Sequence, residues 1–293
     1  MTQNEKTAFT VSKLDQPTRL DRCLRNRLPQ VGRQAVQQLI TAGKVKVNGR
    51  VVWLASWQVQ NGDRVELTET PPEKTPPPDQ FADVWLIAEE VDLIAVNKPA
   101  GLLAEPTRWT QTANLLDLAR ARFGPLVLFH RLDRDTSGVI LLTRPGPINQ
   151  YLDQAFKQHT IQKEYLAVVA KPNRLARSGV IEARLGPHPQ RRDLMTVVER
   201  GGQRAVTQYE IAEESGNRQL VRLWPQTGRT HQLRVHLASL GAPILGDRLY
   251  GVRPKEDERL LLHAVRITLP DAEGFRARSY CAPLPDDFWK NSR

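Results

Sequence analysis

The sequence predicts an α+β protein in which a mixed, mainly antiparallel β-sheet with peripheral helices follows a small α/β domain at the N-terminus. Three observations support this class. From residue 84 onward, short apolar runs alternate with turn-forming residues, a pattern typical of strands. Helical periodicity between these runs is clearest at residues 113–123 and 149–158. Five prolines within residues 70–78 separate this region from a shorter one that has its own helices and strands.

We therefore expect four segments along the chain. These are an N-terminal extension (1–16), a small domain (17–69), a proline-rich linker (70–83) and a large domain (84–293). The strands of the large domain are expected at the apolar runs 84–87, 93–96, 126–129, 139–142, 165–169 and 220–223. Few of the segments that connect these apolar runs show a helical pattern. Most neighbouring strands are therefore expected to pair antiparallel.

Composition limits the possible functions. The chain has 293 residues, 40% of them hydrophobic, and a formal net charge of +10. This is enough apolar material for a core, and the charge favours a polyanionic partner, nucleic acid before membrane. No apolar run is long enough to span a membrane, and the first residues lack a signal-peptide pattern, so we expect a cytoplasmic protein. Cys23 and Cys281 lack metal-ligand spacing and are expected to be reduced thiols.

The small domain concentrates positive charge. Residues 18–50 contain eight Lys or Arg against the single acid Asp21. Leucines at positions 20, 24 and 28 define the apolar face of a helix that Pro29 ends. Arginines at three-residue spacing form a separate stripe on that helix; they are Arg19, Arg22 and Arg25. A solvated basic face without a ligand is the alternative interpretation.

A second helix and a hairpin complete the predicted small domain. The helix is expected over residues 33–41, from Arg33 to just before Gly43. Residues 44–53 then predict two strands joined at Asn48 and Gly49, because an Asn-Gly pair supplies the positive φ that a tight hairpin turn requires. A further strand is expected at 64–67. Lys44 and Lys46 extend the basic surface along the first strand of the hairpin.

The most informative stretch is HRLDRDTSG at residues 130–138, which lies between the apolar runs 126–129 and 139–142. It places an acid and a guanidinium where a buried strand surfaces, as a catalytic carboxylate on an RNA-binding enzyme would need. The stretch resembles the signature of the RluA-type pseudouridine synthases, which isomerise uridine within RNA. The resemblance extends to KEYLA at 163–167, GRTHQLRVHL at 228–237, and further motifs at 97–102, 201–209, 245–251 and 282–285.

The resemblance implies a role for each matching residue. Asp133 is the catalytic carboxylate, Arg229 is the arginine that pairs with it, and Tyr165 stacks on the target base. Thr230 can cap a helix that carries Leu233, Leu237 and Leu240 on one face. The remaining matching residues are assigned to substrate binding and to the pocket; they are Arg131, which fills the place of the flipped base, and His130, Thr136, Leu233 and His263.

The small domain resembles the alpha-L RNA-binding module of a small-subunit ribosomal protein, on the strength of GKVKVNG at residues 43–49. Its expected RNA contacts are Arg19, Arg22, Arg25, Arg33, Lys44, Lys46 and Asn48. A second RNA surface is expected within the arginine-rich residues 174–204, including Arg191 and Arg192. One departure from the family is Glu105, where relatives more often have a histidine before the proline.

The implied reaction uses base flipping and needs no metal, nucleotide or other cofactor. Whether the aspartate attacks the sugar covalently or abstracts a ribose proton is left open. The expected partner is RNA, most of all large-subunit ribosomal RNA, with transfer RNA as an alternative substrate and a monomer as the default state. A metal-dependent nuclease using His130, Asp133 and Asp135 lacks a third acidic cluster. A non-catalytic RNA-binding or ribosome assembly factor is the stronger rival.

Overall fold

The computed structural model describes residues 7–27, 33–41, 43–67, 78–106, 113–191, 194–251 and 259–289. The chain divides into two compact units, residues 1–76 and 77–293, called the N-terminal unit and the C-terminal unit below. The proline-rich stretch falls mostly on residues outside the described ranges, as do Pro29 and Arg192. None of the helices in the described ranges is long and apolar enough to cross a membrane.

The N-terminal unit contains two helices and six short strands. Its helices are α1 (Leu20–Arg27) and α2 (Arg33–Thr41). Its strands are β1 (Thr7–Thr10), β2 (Thr18–Arg19), β3 (Val45–Val47), β4 (Arg50–Val51), β5 (Gln58–Val59) and β6 (Arg64–Leu67). Strands pair in the order β1-β6-β3-β4, and β2 pairs with β5. Both predicted helices and the hairpin are confirmed, although its second strand ends at Val51, before the predicted residue 53.

The local sequence explains these elements. Leu20 and Leu24 of α1, and Val36 and Ile40 of α2, are fully buried in one hydrophobic cluster. The turn between β3 and β4 has φ angles of 53° at Asn48 and 77° at Gly49, as the Asn-Gly pair predicts. Arg22 and Arg25 of α1 are exposed, whereas the Arg27 guanidinium lies over the ring of Phe9, which packs against this cluster.

The C-terminal unit is built on one sheet of eleven strands, in the order β13-β12-β14-β15-β11-β16-β10-β8-β7, with β9 beside β10 and β17 beside β16. Within the described residues its strands pair antiparallel, except β10 with β16, so the mixed, mainly antiparallel sheet is confirmed. Its strands are β7 (Leu86–Glu89), β8 (Leu93–Lys98), β9 (Val127–Leu128), β10 (Ser137–Thr143), β11 (Gln162–Ala170), β12 (Ser178–Pro187), β13 (Met195–Val197), β14 (Gln203–Ser215), β15 (Arg218–Pro225), β16 (Leu262–Leu269) and β17 (Arg278–Cys281).

Three helices pack on this sheet, and a short 3-10 turn (Asp83–Trp85) precedes it. They are α3 (Leu115–Phe123), α4 (Pro147–Lys157) and α5 (Gln232–Ser239). Helices α3 and α4 share a buried cluster with β8 and β10, whereas α5 contributes to a second cluster with β11 and β15. The helices predicted at 113–123 and 149–158 are thus confirmed within two residues.

The central strand β10 depends on a glycine. Gly138 pairs with Ala264 in the parallel β10–β16 ladder and has φ of 116°. A Cβ at this position would lie 2.2 Å from the Ala264 carbonyl oxygen, closer than any real contact. Only glycine lets the two backbones approach this closely. The loop at residues 129–136, between β9 and β10, is therefore fixed at its C-terminal end by the sheet.

Candidate active site

A cleft of about 430 Å³ opens where three segments of the C-terminal unit meet. They are the loop before β10, the first residues of β11, and the loop between β15 and α5, which runs from residue 226 to 231. Seven of the eight predicted catalytic and substrate-binding residues line it, among them His130, Arg131, Asp133, Thr136 and Tyr165. The other two are Arg229 and Leu233. The cleft brings together residues as far apart in the sequence as Phe129 and Leu262.

Asp133 lies in the loop before β10, with 27% of its side chain exposed. A buried lysine supports this loop. Lys98 has no exposed surface, and its ammonium donates hydrogen bonds to the carbonyls of Pro99 (2.9 Å), Leu102 (2.8 Å) and Arg134 (3.0 Å). Burial lowers the pKa of Lys98 to about 7, against the opposing charges of Asp135 and Asp133. The motif at residues 97–102 thus holds the catalytic loop in place.

The arginine that faces Asp133 is Arg234, not Arg229. Arg234 Nη1 lies 3.6 Å from Asp133 Oδ2, and the same guanidinium makes a two-point contact with Asp247, at 2.8 and 2.7 Å. The Asp247 side chain is fully buried, and that of Arg234 is 4% exposed. The backbone amides of Leu249 and Tyr250 donate to the same carboxylate. The arrangement holds a cation beside Asp133 in fixed geometry.

The predicted pairing of Arg229 with Asp133 is wrong. Arg229 lies on the turn that precedes α5, at the rim of the cleft, and its Nε donates to the Arg204 carbonyl (3.2 Å). Its backbone N–H donates to Gln232 Oε1 (3.0 Å), which fixes the turn. Arg234 instead lies in the first turn of α5. Its partner Asp247 lies in the motif at residues 245–251, but the sequence carries no signal that joins the two residues.

The start of α5 also differs from the prediction. Helix α5 begins at Gln232, and the residue before it, His231, has φ of 56° and no side-chain cap. Thr230 is therefore not the cap. Instead the amide of Gln232 accepts from Thr227 Oγ1 (2.7 Å) and donates to the Val206 carbonyl (3.0 Å). These bonds hold the first turn of the helix against β14.

His231 is a site residue that the sequence reasoning missed. Its Nε2 lies 3.9 Å from Asp133 Oδ2, and its Nδ1 is 2.8 Å from the Tyr250 hydroxyl. That hydroxyl accepts a hydrogen bond from the Met195 N–H (3.0 Å). Burial lowers the pKa of His231, partly opposed by the charge of Asp133. The left-handed backbone of His231 turns its ring toward the carboxylate, a feature without a sequence signal in a non-glycine residue.

Tyr165 and the apolar wall lie where the resemblance predicts them. Tyr165 lines the cleft and is half-buried; burial, with the Asp133 charge, raises the pKa of its hydroxyl, so it stays protonated. Leu233 and Leu262 line the same space and are largely buried. A planar, neutral base would thus meet one aromatic ring and two aliphatic side chains close to the carboxylate.

His130 and Thr136 line the cleft, but much of what they do is structural. His130 Nε2 accepts the Leu141 N–H (2.9 Å), and its ring stacks on Phe156. Burial lowers the pKa of His130 to about 3, so its imidazole is neutral. Thr136 is 2% exposed, and its N–H donates to the Asp133 carbonyl (3.1 Å), closing the loop. Their direct contact with substrate stays a prediction.

The predicted substrate contact of His263 is wrong. His263 has no exposed surface and does not line the cleft; its Nδ1 is 2.8 Å from Ser137 Oγ. It joins β16 to β10 behind the cleft, and its neighbour Leu262 faces the cleft instead. Arg131 does line the cleft, with 64% of its side chain exposed, and lies 3.4 Å from Glu105. The unusual glutamate thus contacts the arginine assigned to base flipping.

The basic residues of the N-terminal unit are placed less uniformly than predicted. Arg22 and Arg25 are exposed on α1, whereas Arg19 forms an ion pair with Asp21 (2.8 Å). Lys44, Lys46 and, in the other unit, Arg191 are half-buried. The Asn48 amide donates to Asp63 and accepts from the Arg64 N–H, which gives it a structural role. The side chains of Arg33 and Arg192 lie outside the described part of the structure. All of these RNA contacts stay predictions.

Comparison with known proteins supports the resemblance. Residues 92–239 match the family described as RNA pseudouridylate synthase, and residues 18–65 match the S4 domain. The chain is 31% identical to ribosomal large subunit pseudouridine synthase D of Haemophilus influenzae, over 92% of this chain and 89% of the relative. It is 33% identical to an uncharacterized RNA pseudouridine synthase of Chloroflexus aurantiacus, over 97% and 92%.

A solved human structure, RNA pseudouridylate synthase domain containing 4, is similar to the chain with a TM-score of 0.57 and 28% identity, over 69% of this chain and 89% of that one. The described residues contain no group of three or more His, Cys, Asp or Glu side chains that could hold a metal ion. The fold, the cleft around Asp133 and the relatives agree with the family named from the motifs. The chain belongs to the RluA-type family of RNA pseudouridine synthases and carries an S4 domain.

Proposed function

We propose that this protein isomerises specific uridines to pseudouridine in large-subunit ribosomal RNA, with Asp133 acting on the ribose of a flipped nucleotide. The observation that carries the proposal is the contact of the partly exposed Asp133 with the buried Arg234, which Asp247 holds in place. A guanidinium at this distance supplies the carboxylate with a counter-charge and fixes its orientation. Both are needed whether the aspartate attacks C1′ or removes the neighbouring ribose proton.

The reaction balances without any external reagent. The bond between N1 and C1′ breaks, a bond between C5 and C1′ forms, C5 loses its proton, and N1 gains one. No atom is oxidised or reduced, so we expect no metal or nucleotide cofactor. Asp133 and the nearby imidazole of His231 are two neighbouring groups in the cleft that are able to hold a proton during these steps.

The shape of the cleft requires an extruded nucleotide. Asp133 lies within a concave site, so a base stacked inside a helix would be out of reach, and extrusion costs a few kcal/mol. Tyr165, Leu233 and Leu262 offer the aromatic and aliphatic surfaces that would compensate the lost stacking. We infer that Arg131 occupies the gap left in the RNA; its exposed position in the lining of the cleft supports this, and its planar cation can stack and donate hydrogen bonds.

The relatives' names and the S4 domain favour ribosomal RNA of the large subunit over transfer RNA. A non-catalytic assembly factor is not favoured, because a buried Arg–Asp pair aimed at a partly exposed carboxylate has no use in simple RNA binding. We expect a monomer that acts in the cytoplasm. Sedimentation of the full chain tests the first expectation, and activity in the presence of a chelator tests the absence of a metal requirement.

The decisive experiment maps pseudouridines across all cellular RNA in cells with the gene, without it, and with Asp133→Asn. We expect a small set of uridines in large-subunit ribosomal RNA to lose modification in the last two. The variant should keep its affinity for the same RNA, because it changes neither the basic surfaces nor the shape of the cleft. Normal pseudouridine levels in the Asp133→Asn strain would refute the enzymatic role; lost sites in transfer RNA alone would refute the substrate.

A further inference from the structure

Lys163 is a cleft residue to which the reaction, as described above, gives no role. It lies on β11 two residues before Tyr165, and both side chains line the cleft. Glu164, between them, turns to the other face of the sheet. There its carboxylate contacts Arg222 at 3.0 Å and Arg266 at 3.4 Å. Because side chains alternate between the two faces of a strand, Glu164 lies on one face of β11 and Lys163 lies on the face that lines the cleft.

Two of the cations that line the cleft contact a carboxylate, and a third, Arg229, donates to the Arg204 carbonyl. Arg234 contacts Asp247 and Asp133, and Arg131 contacts Glu105. Asp133 is the only acid among the residues that line the cleft. The Lys163 ammonium, by contrast, has no hydrogen bond or ion pair with any residue in the described ranges of the chain.

Holding that ammonium in the cleft costs free energy. The side chain is half-buried, and burial alone lowers the pKa of Lys163, with no carboxylate acting in the opposite direction. The positive charge also contributes to the low pKa of His130. A buried cation without a counter-charge is unfavourable unless a ligand supplies the anion.

The structure leaves room for such a ligand. The backbone of the loop before α5 passes Lys163 at Gly228, where an added Cβ would lie 3.7 Å from the Lys163 Nζ. Because Gly228 carries no side chain, the ammonium is not covered at this point. A group that enters the cleft beside Tyr165 would meet the ammonium and the open backbone of residue 228 together.

We propose that Lys163 binds a phosphodiester that flanks the flipped uridine, an inference that rests on the proposed function. Phosphates are the only groups of RNA that are negative in every bound state, and a lysine ammonium binds them as a point charge. The rival ligand is the uracil ring itself, which becomes negative only while the bond to C1′ is broken. The charge of Lys163 is uncompensated in the resting protein, which favours an anion present from binding onward.

The test uses Lys163→Met with a short synthetic RNA that centres on the mapped uridine. The methionine keeps the length and the apolar stem but removes the charge. We expect kcat/KM to fall by about ten- to hundredfold, as for the loss of a charged hydrogen bond, mainly through KM. The slope of log Kd against log salt should also shrink by about 0.7, as for one single-strand phosphate contact. Lys163→Arg should restore most of the affinity.

The second arm replaces single phosphates on either side of the target by neutral methylphosphonates. One such linkage should weaken binding by wild-type protein to the level of Lys163→Met, and the same linkage should have no further effect in the variant. Lys157→Met is the matched control. Lys157 is exposed on α4, is paired with Asp153, and does not line the cleft. It should behave as wild type with every RNA.

Two results would overturn the inference. If the losses from Lys163→Met and from every flanking methylphosphonate multiply independently, the lysine binds none of these phosphates. If kcat falls while KM and Kd stay unchanged, Lys163 acts on the departing base. Equal unfolding temperatures of the wild type and Lys163→Met exclude misfolding as the cause. Failure of wild-type protein to modify any RNA would reject the proposed function itself, a different outcome from either of these.

Discussion

The exposed arginines of α1 and the arginine beside Asp133 carry the same charge in opposite settings. Arg22 and Arg25 are exposed on α1, whereas Arg234 is buried between two carboxylates. Exposed cations attract a polyanion at a distance, and salt weakens that attraction. A buried, hydrogen-bonded cation acts only on the groups that it contacts. We therefore expect Arg22 and Arg25 to contribute to RNA binding, and Arg234 to contribute to the geometry of the cleft.

The largest expected effect comes from Arg234→Met. This variant leaves the fully buried Asp247 without a counter-charge, which should lower the free energy of unfolding by about 3–5 kcal/mol. Pseudouridine formation should fall by about 100-fold or more, since Asp133 loses its fixed cation. Thermal unfolding and single-turnover assays measure the two losses. The double variant Arg234→Met with Asp247→Asn should recover part of the stability, because no buried charge is left unpaired, but none of the activity.

Arg229→Gln is the matched control for this comparison. Arg229 donates to a backbone carbonyl at the rim, so its loss should leave stability unchanged and reduce activity by less than about tenfold. If Arg229→Gln were stable yet as inactive as Arg234→Met, the assignment of the aspartate's partner to Arg234 would be wrong.

Acid should destabilise the C-terminal unit more than the N-terminal unit. All six histidines lie in the C-terminal unit. His236 and His263 are fully buried, and burial lowers the pKa of each to about 4. The unfolded chain binds protons near pH 6.5 and the native chain does not, so stability is present above pH 6.5 and is lost as the pH falls.

The loss at pH 5 should be about 2 kcal/mol for each of these two histidines. Hydrogen exchange of the full chain between pH 7 and 5, corrected for intrinsic rates, should show lower protection in the C-terminal unit while α1 and α2 change little. His159→Gln, at an exposed position, should leave this pH dependence unchanged. Equal destabilisation of both units would contradict the assignment to the buried histidines.

We expect the smallest effect on function from the two exposed arginines of α1, Arg22 and Arg25. Arg22→Gln with Arg25→Gln should weaken RNA binding at low salt and reduce the slope of log Kd against log salt by about 1.4–1.8 for two lost phosphate contacts. The catalytic step should keep its single-turnover rate at saturating enzyme. An unchanged salt slope would mean that α1 is a solvated basic face, the alternative interpretation of its sequence.

Much of the fold could be predicted because its signals are local. Leucine spacing fixed the apolar face of α1, the Asn-Gly pair located the β3–β4 turn, and the apolar runs located most core strands. Asp133 and Tyr165 were placed correctly in one cleft because each carries a distinctive motif. The parallel pairing of β10 with β16 had no signal, since it joins residues more than 120 positions apart.

The rest of the site could not be predicted, for physical reasons. Arg229 and Arg234 occur in one motif, and the choice between them depends on Asp247, which reaches Arg234 only through the tertiary fold. The role of His231 depends on a left-handed backbone angle that its residue type disfavours. Thr230 is an ordinary capping residue by type, but α5 begins one residue later than a cap at Thr230 would require, after His231. The catalytic role of Asp133 stays a prediction.

The geometry of the site depends on the absence of a side chain at Gly138. Gly138 brings no functional group to the reaction. Any larger residue would push the backbones of β10 and β16 apart, next to the loop that carries Asp133. We therefore expect substitutions at the exposed rim of the cleft to be tolerated better than any substitution of Gly138.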